Sequence, residues 1–364
     1  MAKLGYFFIA FPYLFATPFF LGIQPWALML CSLYLLFNLD KVRINNLNIF
    51  FLFFSLLIFC LSIFMISYLS PGFIISILCP IIFILFYKIT YKELTLNFLN
   101  NVLTIYFIFA FIYLLDPKLF ESIHNLLLSQ YRIDGGLQRG TGAAFFAPEP
   151  GLGAGILSMI TLAWLSRLPE KKSLLDLARF LLICLCILLS KSGTGYLFFL
   201  MIVSYYVFSL SGSKLAARFL SIFLVIIFTS IIYFLYSYGF FDNNHGFKVL
   251  NIIISGDIPE TSSVGVRISS IFTAYNELKL YGFGTIERMM YGLEDIINLN
   301  PGFPTNIARM VYAFGYLGIL YYFILYINLP TSFQLRIFAI FSLIILFPIS
   351  TPSIIFFIDR HIRK

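Results

Sequence analysis

The sequence predicts an all-α, polytopic transmembrane helical bundle, and three observations predict it. Of the 364 residues, 60% are hydrophobic and 11% charged, whereas an ordinary soluble domain carries about a quarter charged residues. The mean hydropathy is +0.95. Apolar runs such as 48–69, 72–87 and 216–238 approach or exceed the roughly 18–20 residues that cross a bilayer core.

In chain order the apolar segments are 6–23, 24–39, 48–69, 72–87, 98–115, 151–165, 173–190, 193–210, 216–238, 306–329 and 337–358, about eleven or twelve helices in all. The first follows a single lysine and no small-residue cleavage pattern comes after it. It is expected to be a retained helix rather than a signal peptide. The last contains Pro348, Ser350, Thr351 and Pro352, so a broken helix or tight hairpin is expected there, returning the carboxyl end inward. Repeats and low-complexity tracts are absent from the sequence, and residues 1–364 are expected to form a single membrane domain.

Charge orients the segments. If successive connections alternate sides, one side holds Lys3, Lys41, Arg43, Lys88, Lys92, Arg167, Lys171, Lys172, Arg179, Lys214, Arg218 and Arg336. Those twelve basic residues meet only four acids, Asp40, Glu93, Glu170 and Asp176. The opposite side carries two long loops, 116–149 and 239–305; extended to Arg309, they hold eight basic residues against eleven acids. The positive-inside rule places the amino terminus and short loops in the cytoplasm and both long loops outside. The same distribution accounts for the net charge of +8 without nucleic acid as a partner. Cys31, Cys60, Cys79, Cys184 and Cys186 all fall in apolar runs, so neither a disulfide framework nor a zinc site is expected.

The first outer loop begins with Asp116-Pro117-Lys118, after which Leu119, Phe120, Ile123, Leu126 and Leu127 recur at helical spacing. That pattern suggests an amphipathic helix lying at the interface. Beyond it come Arg132, Arg139-Gly140-Thr141-Gly142 and Phe145-Phe146-Ala147-Pro148-Glu149-Pro150. Glu149 stands between two prolines, which restrict the backbone around it. The carboxylate fits two roles: capping the next helix's positive end, or acting as a functional group at membrane depth.

In the second outer loop, Ile268, Ile271, Phe272, Tyr275 and Leu278 make an apolar stripe. Arg267 would begin that helix, and Gly282 and Gly284 would end it in a tight turn. An arginine in a first turn opposes the helix dipole. The cost is offset if the guanidinium binds an anion beside the exposed amide groups; a solvated surface arginine is the plainer alternative. Smaller features are the turn Ser190-Lys191-Ser192-Gly193-Thr194-Gly195, and Arg309 one helical turn past Thr305-Asn306. His245, His124 and His361 carry little weight as bases.

Outward-facing arginines at a bilayer surface suit a phosphate or diphosphate ligand, which the guanidinium fork grips in bidentate fashion at any working pH. A lipid diphosphate would enter sideways from the membrane. With a sugar attached, the arginines would stabilise charge on the departing diphosphate, and a carboxylate would accept a proton from the attacking hydroxyl. That chemistry needs no metal and no cofactor.

These motifs resemble those of the Wzy-type O-antigen and capsular polysaccharide polymerases, within the O-antigen ligase and polymerase superfamily of GT-C-like membrane glycosyltransferases. Arg139 to Gly142 with Phe146 to Pro150 resembles that family's arginine–glycine–phenylalanine–glutamate–proline run in the third periplasmic loop. Ser190 to Gly195 resembles its serine-rich outer turn, and Arg267 through Gly282-Phe283-Gly284 its fifth-loop arginine and glycine turn. Thr305-Asn306 through Gly315-Tyr316-Leu317-Gly318 resembles the helix that a histidine–asparagine pair enters. Only helices match over 1–115.

The resemblance implies a multi-pass protein of the bacterial inner membrane with its active site facing the periplasm. Glu149, Arg139 and Arg267 become the expected catalytic set, with Arg132, Lys191, Asn306, Arg309, Gly282 and Gly284 contacting substrate or diphosphate. The expected partners are an undecaprenyl-pyrophosphate-linked oligosaccharide, the lipid bilayer, a chain-length regulator and a flippase. Thr305 stands where ligases place a histidine, which favours a polymerase over an O-antigen ligase. A transporter or flippase for the lipid-linked unit is the alternative from another class. It would carry charges mid-helix, whereas here they cluster at segment ends.

Overall fold

The computed structural model describes residues 1–15, 25–42, 46–63, 75, 77–128, 142–147, 150–169, 173–210, 310–311, 314–328 and 355–356. All regular structure among them is helical: α1 (Ala2–Ala10), α2 (Pro25–Leu36), a 3-10 turn (Leu39–Lys41), α3 (Asn46–Ile63), α4 (Cys79–Thr90), α5 (Leu96–Leu115), α6 (Pro117–Leu128), α7 (Pro150–Leu165), α8 (Leu174–Leu189), α9 (Gly193–Leu210) and α10 (Tyr316–Asn328). The chain divides into two compact units, one of Met1–Gly5, Phe19–Tyr91 and Asp257–Lys364, the other of Tyr6–Pro18 and Lys92–Gly256.

Local chemistry sets the breaks between helices. Thr95 Oγ1 accepts from Phe98 N at 3.2 Å to start α5, and Asp116 Oδ1 accepts from Lys118 N and Leu119 N to start α6. Ser173 and Asp176 form a reciprocal capping box on α8, and Ser192 Oγ accepts from Gly195 N at 2.9 Å to start α9. Each side-chain oxygen satisfies a first-turn amide that has no carbonyl partner within its helix. Pro150 opens α7, where its missing N–H costs nothing.

Four apolar segments differ from their expected limits. The first helix stops at Ala10 instead of running from 6 to 23, because Pro12 disfavours helical backbone at Phe11 and a turn follows. The second ends at Leu36, short of 39. Within 72–87 a turn at Ile77 and Leu78 precedes a helix that starts at Cys79, with Pro80 in its first turn, and continues to Thr90. The segment expected over 306–329 is interrupted at Gly315, whose φ of 56° lies in the left-handed region, so α10 begins at Tyr316.

In the first unit α4 packs on α2 and α3, and α10 on α3. Tyr321 of α10 lies 5.6 Å from the Phe51 ring, and its hydroxyl donates to Ile77 O at 2.6 Å.

In the second unit α7 is the central helix, packed by α5, α8 and α9 and buried continuously from Gly153 to Leu165. It runs antiparallel to α5. At one end Trp164 Nε1 donates to Asn100 Oδ1 at 2.9 Å, and Arg167 donates to the Leu94 and Ala163 carbonyls. At the other, Phe145 and Phe146, just before α7, pack on Tyr106 of α5. Arg167 thus closes α7 with positive charge where the dipole favours it. Trp164→Phe keeps the ring in place but orphans Asn100, and should lower the unfolding free energy by about 1 kcal/mol. Thermal unfolding in detergent measures the loss.

Candidate functional site

One end of the second unit gathers the end of α5, the helix α6, the entrance to α7 and the turn between α8 and α9. Residues 142–147 link these pieces. Ala143 N donates to Leu189 O at 2.9 Å, and Gly142 lies against the backbone of Leu189 and Ser190, where a Cβ atom would collide with the Leu189 carbonyl. Gly153, in the first turns of α7, is pressed in the same way on the Ala144 carbonyl. Residues nearly fifty positions apart therefore meet backbone to backbone.

An aromatic cluster holds this loop down. Phe146 meets Phe109 at 4.3 Å, Phe11 at 4.7 Å and Tyr106 at 5.2 Å between ring centroids. Tyr106 in turn stacks on Phe11 and donates from its hydroxyl to Ala10 O. Phe145 is fully buried yet takes a φ of 52°, left-handed backbone that costs a non-glycine residue about 1–3 kcal/mol. Burying two phenylalanines, at about 1.5–3 kcal/mol each in water, offsets that strain. The loop is held in one shape before it reaches Pro148.

The serine turn is equally defined. Ser190 Oγ and Ser192 Oγ lie 3.1 Å apart, and Ser190 is buried. Lys191 between them is exposed, with a φ of 48° and its amide donating to Leu188 O. Lys191 belongs to the expected substrate-binding set. Arg132, Arg139, Glu149, Arg267, Gly282, Gly284, Asn306 and Arg309 lie outside the described residues, as do the whole loop 239–305, the segment 216–238 and the segment 337–358 apart from Ile355 and Phe356.

His124 is a residue that the sequence left aside. Its Nε2 lies 3.1 Å from Ala147 O, and its ring stacks on Phe120 at 5.7 Å and 25°. Burial lowers its pKa from the usual histidine value. Hydrogen bonds to Ala147 and Asn125, and the charge of Glu121, pull the other way but less strongly. The amphipathic helix expected here is present as α6; the face turned inward is Phe120, His124 and Leu128, while Leu119 and Leu126 of the apolar set are 49% and 78% exposed. The apolar set is wider than one helix face, so hydrophobicity alone does not choose its inward side. A signal was present in the spacing, because Phe120 and His124 are four apart and share a face.

Among the described residues no three His, Cys, Asp or Glu side chains gather as metal ligands. No family model, curated protein or solved structure matches the chain.

Proposed function

We propose that the chain is a polysaccharide polymerase of a bacterial inner membrane. It transfers a growing glycan from undecaprenyl pyrophosphate to the non-reducing end of an incoming undecaprenyl-pyrophosphate-linked repeat. The observation that carries this reading is the seating of Gly142 and Ala143 on Leu189 and Ser190. Gly142 belongs to the first-loop motif of the resemblance and Ser190 to its serine turn, and their contact supports the reading because a shared site requires those two motifs to lie together.

A bilayer setting has its own support. Helix α5 has 20 residues, a mean hydropathy of 2.0 and only 28% of its apolar window buried. A core helix of a soluble protein would be mostly covered. Phe53, Phe111, Leu115, Leu181 and Phe323 are likewise exposed, and apolar surface of this extent needs lipid or a partner to cover it. We read the whole as a polytopic bundle with its site on the periplasmic side. Leu119 and Leu126 of α6 would then rest in the headgroup boundary.

In this mechanism the acceptor's sugar hydroxyl attacks the anomeric carbon of the donor glycan, and Glu149 takes the hydroxyl proton. The bond from that carbon to the diphosphate oxygen breaks, and the electron pair leaves with undecaprenyl pyrophosphate. Arg139 and Arg267 stabilise the charge that develops on the departing group. Arg132, Lys191, Asn306 and Arg309 hold the diphosphate and glycan, and Gly282 and Gly284 let backbone approach them.

The test is reconstitution in liposomes with a synthetic lipid-diphosphate repeat, with product length read on a gel. Elongation should persist undiminished under chelator, since guanidinium groups replace a divalent ion. Loss of elongation in chelator, restored by added metal, would overturn the arginine mechanism. Transfer to a lipid A core with no elongation would identify a ligase instead.

A further inference from the structure

We propose that the first unit binds an ordered water molecule between α3 and α10, held by the hydroxyl groups of Ser55, Tyr321 and Tyr322. This site belongs to the unit without the loop 142–147 and the serine turn, and it does not depend on the polymerase reading.

The hydroxyl groups can be accounted for one by one. Tyr321 donates to Ile77 O at 2.6 Å, in the turn before α4. Its single proton is thereby committed, and its oxygen is left as an acceptor. Ser55 of α3 is 0% exposed and Tyr322 of α10 is 5% exposed, yet neither hydroxyl has a hydrogen-bond partner among the described residues. A buried hydroxyl in that state costs free energy that folding does not recover. Both groups have Tyr321 as a neighbour. The Ser55 hydroxyl comes close to that of Tyr321 without the geometry of a hydrogen bond. The Tyr322 ring packs edge-on to the Tyr321 ring, 6.1 Å between centroids, and the two hydroxyls lie within electrostatic reach.

Ser55 carries the argument furthest. A serine or threonine inside a helix has a partner at hand in the carbonyl four residues back. Buried Thr90, Ser158 and Thr161 all take it, at 2.7, 2.6 and 2.7 Å. Ser55 leaves that bond unmade and stands by Tyr321 of the neighbouring helix. Rotation of one side-chain bond would supply the local partner, so forgoing it points to a partner between the helices.

The three groups also set the chemistry of what they hold. They offer two free donors, from Ser55 and Tyr322, and one free acceptor, the Tyr321 oxygen. Water is the complement: it accepts from the first two and donates to the third, and three hydrogen bonds are typical of a buried water. An ion is a poor match. Asn48, Ser55, Thr90 and Asn328, the polar side chains buried in this unit among the described residues, carry no charge to pair with one. Through Tyr321 the bound water joins α3 and α10 to the turn at Ile77.

Two measurements on the full chain test the site. X-ray hydroxyl-radical footprinting modifies side chains beside bound water even where bulk solvent is excluded. In the wild type, Tyr322 should be labelled several times faster than Tyr106, a buried tyrosine whose hydroxyl donates directly to Ala10 O. Equal labelling overturns the proposal, and this comparison decides the matter should a variant fail to insert.

The second measurement is reversible unfolding in mixed micelles. Tyr322→Phe removes the hydroxyl alone, and the loss of one hydrogen bond should lower the folded-to-unfolded ratio about fivefold. Ser55→Ala should act in the same direction. The double variant should lose less than the product of the two, because both substitutions remove partners of one molecule. An orphan hydroxyl predicts the opposite sign: deleting it relieves the burial penalty and raises the ratio. That result overturns the proposal, as do independent, multiplicative losses, which would put the two hydroxyls on separate partners.

Discussion

Arg139→Ala and Arg267→Ala are each expected to leave the protein inserted in the membrane while long glycan chains disappear and single repeats accumulate. Neither an attacking hydroxyl nor a general base can substitute for the lost group. The leaving diphosphate gains negative charge as the glycosidic bond breaks, and in a site shielded from water that charge needs a fixed donor. Removing one such donor from comparable sites costs about a hundredfold to a thousandfold in rate. Arg→Lys at either position should recover only part of the loss, since lysine keeps the charge but not the planar two-pronged grip. Gel ladders of wild-type length from both alanine variants would dismiss the assignment of these two residues.

The second large effect is expected at Gly142. Adding one methyl there, as in Gly142→Ala, drives a Cβ atom into the Leu189 carbonyl and the Ser190 backbone. Backbone cannot rotate out of the way as a side chain can, so either the loop lifts or the α8–α9 turn moves. Overpacking of this kind costs about 1–3 kcal/mol, and the loop already bears the left-handed Phe145. The variant should therefore unfold at lower temperature and lose polymerisation as the loop leaves the turn. Gly153→Ala, aimed at the Ala144 carbonyl, should behave alike. Unchanged melting and unchanged chain length in both would show that the close approach is dispensable.

Much of the fold was legible in the sequence where hydrophobic length and a capping residue agree. Helix α5 was expected over 98–115 and spans Leu96–Leu115, and α9 lies within its expected limits. At α8 the Ser173 cap and the following apolar run state the same start. Proline and glycine effects were harder to read. Pro12 cuts α1 short and Gly315 delays α10, and neither changes the hydropathy of its window. The candidate site was legible in part. Glycines in the first loop and serines in the later turn were both singled out, and Gly142 does meet Ser190. The clasp from His124 to Ala147 was not foreseen: the spacing of four from Phe120 places His124 on one helix face but does not say what the ring will meet. Its partner is a carbonyl twenty-three residues away, and carbonyls leave no mark on composition.

The burial of α7 on every side from Gly153 to Leu165 bears on how the protein tolerates its surroundings. In a bilayer, thinner or thicker lipid pulls directly on the helices it wets, chiefly through tilt. A helix enclosed by α5, α8 and α9 feels that mismatch only second-hand, and Glu149 directly precedes its first residue in the sequence. If the chain is the polymerase proposed above, its catalytic geometry would be insulated from acyl-chain length, and the expected outcome is elongation that varies little across bilayers of different thickness.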